Sequence, residues 1–155
     1  MNNHQLVERY VRAHTEQDWA SVAEMTAPDV LVSYPPSGEV IKGRDHYVAM
    51  LTNYPGRLDE SEFAVTRLHF PKESVHVIAS PIALPMITVI GAGDDFFFEG
   101  LVTYPDGSVY NIVGLIELGA GRVVRETWYF AAPFDPPAWR APYVEGSTGG
   151  GRPAS

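Results

Sequence analysis

The sequence predicts an α+β domain, one curved sheet with helices on its inner face. Two observations carry this expectation. Apolar residues recur at helical spacing only in the front of the chain, up to about residue 54, and short alternating stretches separated by glycine-bearing gaps follow. A third observation points to a cavity. The strand-like stretch RVVRETWYF at 122–130 places Glu126 on the same face as Val124, Trp128 and Phe130, so a carboxylate stands on the more apolar side.

Residues 4–17 carry Leu6, Val7, Tyr10, Val11 and His14 on one helical face. QDWASVAEM begins a second helix, with Asp18 as its N-cap before Trp19, Val22, Ala23 and Met25. APD at 27–29 stops it, and VLVSY at 30–34 reads as a short strand ended by Pro35-Pro36. GRDHYVAMLTNY at 43–54 is a third helix, stopped by Pro55-Gly56. Residues 62–70 alternate like a strand, and 71–85 read as an irregular, proline-containing connection. Strands at 86–90, 95–104, 108–118 and 122–130 follow, and the short gaps GAG, PDG and GAG make them antiparallel hairpins. The glycine-rich end, 146–155, has the composition of a flexible tail, which leaves 1–145 as a single domain.

Register follows from the turns. YPDGS pairs Tyr104 with Ser108, which sets Glu99 opposite Val113 and Phe97 opposite Leu115. With an even number of loop residues in the 119–122 turn, Phe97, Glu99, Leu101, Asn111, Val113 and Leu115 share a face with Glu126, Trp128 and Phe130. Phe96, Phe98, Val102, Tyr110, Ile112 and Ile116 take the other. Both faces are apolar and both need cover. The helices cover the first, and a second copy of the chain is expected on the other, as a homodimer. Only the first face holds Glu99, Asn111 and Glu126, the few polar groups on an apolar wall that mark a small-molecule site.

The totals exclude several classes. A net charge of −8 argues against nucleic acid and anionic membranes as partners. With no cysteine, the chain has no disulfide, thiolate nucleophile or cysteine metal site. No basic n-region precedes an apolar run, and no stretch approaches the length of a membrane span, so a cytoplasmic location is expected. His4, His46, His69 and His76 show no ligand spacing, and neither a G-x-G-x-x-G nor a P-loop is present. No metal and no cofactor are therefore expected.

VERYVRAHTEQDWASVAEMTAPDVLVSYPPSGEVIKGRDHY resembles the helical front half of nuclear-transport-factor-2-like proteins, and GAGRVVRETWYF resembles their closing hairpin. YFAAPFDPPAWRAPYVE is similar to the ends of members of the polyketide-cyclase, or SnoaL-like, branch. The resemblance covers residues 4 to about 145. It implies a cystatin-like cone, with three N-terminal helices on the concave face of a curved, mixed, mostly antiparallel sheet. It also implies a pocket between the layers and dimerisation through the outer sheet face. That superfamily hosts ketosteroid isomerases, scytalone dehydratases, epoxide hydrolases, polyketide cyclases and non-enzymatic binders, so fold does not give function. Tyr10 matches the steroid isomerase's oxyanion-hole tyrosine, but its general base falls at Ser33 or Tyr34 and its oxyanion-hole acid near Val113. Ketosteroid isomerase is not expected. The Asp–Arg–Asp relay of the epoxide hydrolases and the histidine pair of scytalone dehydratase are not evident either.

The candidates carry two readings each. In the functional reading His14 or Glu126 is the proton acceptor, Tyr10 and Asn111 polarise a ligand oxygen, and Trp19, Tyr34, Phe97, Glu99, Val113 and Trp128 line the substrate site. Alternatively, His14 is a structural histidine bonded to a backbone carbonyl, Glu126 sits at a wet sheet edge, Asn111 satisfies another buried group, and the aromatic residues are core. The expected function is to bind a small, largely apolar carbonyl- or hydroxyl-bearing molecule in the cone pocket, and any chemistry there is expected to be cofactor-free acid–base work: isomerisation, cyclisation, dehydration or epoxide opening. Its rival is a non-catalytic ligand-binding or dimeric interaction protein.

Overall fold

The computed structural model describes residues 1–54, 62–64, 75–78, 87–104 and 106–145. The expected tail and most of 65–86, including His69, lie outside the described residues. The helices are α1 (Asn3–Thr15), α2 (Trp19–Met25) and α3 (Arg44–Thr52). The strands are β1 (Thr26–Tyr34), β2 (Glu39–Lys42), β3 (Glu62–Ala64), β4 (Val75–Ile78), β5 (Ile87–Ala92), β6 (Asp95–Thr103), β7 (Val109–Gly119) and β8 (Arg122–Ala131), and a 3₁₀ helix covers Ala138–Tyr143. Asn2 and Gln5 form a capping box at the start of α1. Asp18 caps α2 through the Ser21 N–H at 3.0 Å, as its place in the sequence predicts.

The sheet runs β2-β1-β8-β7-β6-β5-β4, with β3 also paired to β6, and is mixed because β1 and β8 are parallel. The α+β class and the helix-on-sheet layout are as expected. Two strands are additions: β2, which forms a hairpin with β1, and β4, which lies within the stretch read as irregular. The β6–β7 register is the one the PDG turn sets, with Glu99 opposite Val113 and Phe97 opposite Leu115.

The β7–β8 register is not. Its turn has the even loop, Ala120-Gly121, both at positive φ. Gly119 pairs with Arg122 and Leu118 with Val123, but Glu117 then pairs with Arg125. Val124 is the extra residue of a β-bulge, and one extra residue moves every later side chain to the opposite face. Gly114 therefore faces Trp128, and Ile116 faces Glu126. Glu126 and Trp128 share their face with Phe96, Phe98, Val102, Ile112 and Ile116, and all of these are buried. The helices supply Leu6, Val7, Tyr10, Val11, Val22, Met25 and Tyr47 to the same core.

Two expectations are corrected. Phe97, Glu99, Asn111, Val113 and Leu115 lie on the outer face, where Asn111 and Leu115 are exposed. The six residues assigned to a dimer interface are instead on the helix-covered face. Phe96, Phe98, Val102, Ile112 and Ile116 are 1–5% exposed within one chain, and Tyr110 packs against them. The side chain of Leu101 lies outside the described residues. Among the described residues, no helix is long and apolar enough to cross a membrane.

Candidate functional site

Glu126 is 1% exposed and points at the helices. An isolated carboxylate in such a place would be costly, and the surrounding elements supply three donors. Tyr10 from α1 donates to Oε1, Tyr47 from α3 donates to Oε2 at 3.0 Å, and the Trp128 indole N–H reaches Oε2 at 2.8 Å. Trp128 lies two residues further along β8, on the same face. Tyr10 also meets the Thr26 hydroxyl at 3.4 Å, and Thr26 donates to the Val22 carbonyl at 2.7 Å. Burial, together with the carboxylate, holds the Tyr10 and Tyr47 phenols well above their usual range, so both remain donors.

His14 stands one helical turn beyond Tyr10. Its Nδ1 lies 3.1 Å from the Tyr10 carbonyl oxygen, and its Nε2 lies 3.1 Å from the Tyr47 hydroxyl. Desolvation lowers the pKa of His14, and the charge on Glu126 opposes that shift. The ring packs between Tyr10 at 4.6 Å and Trp19 at 5.9 Å.

Beside this cluster is a cavity of about 310 Å³, at the small end for ligand pockets. His14, Trp19, Tyr34, Tyr47, Trp128 and Phe130 line it, together with Glu39, Ile41, Met50, Leu51, Tyr54 and Tyr104. Trp128 and Phe130 stack at 5.9 Å, as do Tyr54 and Tyr104, and Tyr34 stacks on Phe130 at 6.3 Å. None of the described lining residues is lysine or arginine. Among the described residues, no group of three or more His, Asp and Glu side chains could hold a metal ion.

Of the residues singled out in the sequence, His14, Trp19, Tyr34 and Trp128 line the cavity. Tyr10 and Glu126 lie directly behind its wall, joined to it through Tyr47 and Trp128. Phe97, Glu99, Asn111 and Val113 do not reach it, because the Val124 bulge places them across the sheet. Burial nonetheless raises the pKa of Glu99 on the outer face. The sequence reading missed Tyr47, which completes the cluster. The available signal was the Tyr47, Met50, Leu51 spacing, an i, i+3, i+4 stripe that turns one face of α3 toward the cavity.

The fold has close structural relatives. A nuclear-transport-factor-2-like protein of unknown function from Burkholderia xenovorans superposes with a TM-score of 0.69 at 26% identity, covering 93% of this chain and 94% of that one. A candidate ketosteroid isomerase from Kribbella flavida gives a TM-score of 0.72 at 23% identity, covering 94% and 90%. An LEH-like epoxide hydrolase from M. tuberculosis gives 0.55 at 17% identity, covering 81% and 80%. A search of curated proteins finds no match. The SnoaL-like domain model matches residues 7–126, and with these neighbours it establishes that the chain belongs to the SnoaL-like branch of the nuclear-transport-factor-2-like superfamily.

Proposed function

We propose that the cavity takes a small, uncharged, largely apolar molecule bearing a carbonyl or hydroxyl group, and that His14 and Glu126 perform cofactor-free acid–base chemistry on it. The observation that carries this reading is the wall itself. Stacked aromatic rings share the lining with His14 and Tyr47, and the Tyr47 hydroxyl is hydrogen-bonded to Glu126. Among the described lining residues a carboxylate ligand would find no lysine or arginine, and it would meet the carboxylate of Glu39. In this reading His14 exchanges a proton with the ligand, Tyr47 joins His14 to Glu126, and Tyr10 and Trp128 hold Glu126 in place. Isomerisation, cyclisation, dehydration and epoxide opening all fit such a site.

One observation favours the rival, a non-catalytic binder. Both ring nitrogens of His14 and both oxygens of Glu126 are engaged within the protein, so a ligand must displace a partner before either group acts. For assembly, we propose a homodimer through the outer face, where Leu115 and Tyr129 are 42% and 44% exposed beside Phe97 and Val113.

Tryptophan fluorescence titration with matched pairs of aromatic ketones and aromatic carboxylates tests the binding reading. The ketones are expected to bind at least about tenfold more tightly, a difference of 1.4 kcal/mol. Equal or reversed affinities would sink it. For catalysis, hydrogen–deuterium exchange next to the carbonyl of a bound ketone is expected to slow about 10²–10⁴-fold in His14→Gln. Binding without any exchange would select the rival.

A further inference from the structure

Tyr47 has one hydroxyl proton and two neighbours that need it. Its oxygen lies 3.0 Å from Glu126 Oε2 and 3.1 Å from His14 Nε2. Across the imidazole, Nδ1 lies 3.1 Å from the Tyr10 carbonyl oxygen, which can only accept, so Nδ1 carries a proton. In a neutral ring Nε2 then offers a lone pair, and Tyr47 donates to it. The contact with Oε2 in that case needs a proton on the carboxyl. If Tyr47 donates to Glu126 instead, Nε2 needs a proton and the ring is a cation. Either way Tyr10 still donates to Oε1 and Trp128 to Oε2. With neither proton, lone pairs face each other about 3 Å apart in a buried site. With both, two donors converge on one phenol oxygen.

We propose that Glu126, Tyr47 and His14 hold one proton in common, and that it passes between carboxyl and imidazole through the Tyr47 hydroxyl. Movement toward His14 breaks the Glu126 O–H and forms a new O–H on Tyr47. The former Tyr47 O–H breaks as Nε2–H forms, and the net charge of the trio does not change. The ionisable groups packed around it are Tyr10 from α1, Tyr47 itself from α3, Tyr34 from β1 and Glu126 from β8. All three phenols are held protonated by burial, so none supplies or removes this proton near neutral pH. For His14, desolvation and the charge on Glu126 act in opposite directions, which suits a shared proton. The relay makes Tyr47 a positioning residue, joining a carboxyl off the cavity wall to an imidazole on it. Its use in turnover rests on the acid–base reading above, whereas the proton count does not.

The experiment is that count, made on the full-length wild-type protein at neutral pH. Nitrogen-15 NMR reads both ring nitrogens of His14, and carbon-13 NMR of glutamate-labelled protein reads the Glu126 carboxyl. The expected result is a neutral Nδ1–H ring beside a protonated carboxyl, an imidazolium beside a carboxylate, or a fast average whose fractions sum to one proton. A neutral ring beside a carboxylate, an imidazolium beside a protonated carboxyl, or an Nε2–H neutral tautomer would overturn the proposal. Glu126→Gln is expected to shift the His14 Nε2 resonance much more in the wild-type background than in Tyr47→Phe, where only the through-space effect of the Glu126 charge remains. Equal shifts in both backgrounds would remove Tyr47 as the bridge. If a variant fails to fold, the wild-type count still decides. A failed count leaves the ketone titration and isotope exchange unaffected, so the two readings fail separately.

Discussion

Replacing Glu126 by leucine removes the acceptor that three buried donors share, and the structure says how unequally they lose it. Tyr10 retains the Thr26 hydroxyl, though only at 3.4 Å, and Tyr47 retains His14 Nε2 at 3.1 Å. The Trp128 indole N–H donates to Glu126, and the residue is 8% exposed. One donor left buried without a partner costs about 1–3 kcal/mol. A weakened bond at Tyr10 adds roughly 0.5–1.5 kcal/mol, the net worth of an ordinary hydrogen bond. Glu126→Leu should therefore destabilise the domain by about 1.5–4.5 kcal/mol, against a total of about 5–15 kcal/mol. Urea unfolding followed by circular dichroism measures this. Adding Trp128→Phe, which removes the orphaned N–H, should recover part of the loss, with a coupling of about 1–3 kcal/mol in the double-mutant cycle. A buried carboxyl also carries a desolvation cost, and apolar replacement of such groups sometimes stabilises. Glu126→Leu matching or exceeding wild-type stability would refute the reasoning, because the cost of burying the carboxyl would then outweigh its three bonds.

Ile112→Asp places a carboxylate at a position 3% exposed beneath the helices, and should abolish folding rather than release a folded monomer. A soluble, folded variant by circular dichroism would reopen the face assignment. At Gly114 an added Cβ would lie 2.4 Å from the Phe98 ring, which packs edge-on against Trp128 at 5.0 Å. Gly114→Ala should cost about 1–3 kcal/mol and change the Trp128 fluorescence, whereas an unchanged spectrum would mean that the ring moves freely. Hydrogen bonds from the Ser21 side chain and N–H lower the pKa of Asp18 at the α2 N-cap. The folded value is below the unfolded one, so its stabilisation is complete above about pH 4 and is lost as pH falls through the folded pKa. The stability gap between wild type and Asp18→Ala should therefore narrow on acidification below about pH 4, and a gap independent of pH would contradict the cap.

The sequence by itself determined the layout. Periods of 3.6 and 2, the Asp18 cap and the PDG turn are local properties, and local propensity and turn chemistry fixed three helices, a β6–β7 register and a carboxylate among apolar neighbours. It also placed His14 and Tyr10 one turn apart, which no later packing could change. The faces were a different matter. An alternating pattern gives the same apolar count on either side of a sheet such as this, so its phase hangs on every residue of the connection. The Val124 bulge shifted that phase, and Asn111 and Glu99 left the site while Phe96, Phe98 and Ile112 became core. Tyr47 was legible as an apolar helix position but not as a partner of Glu126, 79 residues away. Whether a phenol meets a carboxyl across that separation depends on how α3 crosses β1 and β8, and only the packed tertiary structure sets that crossing.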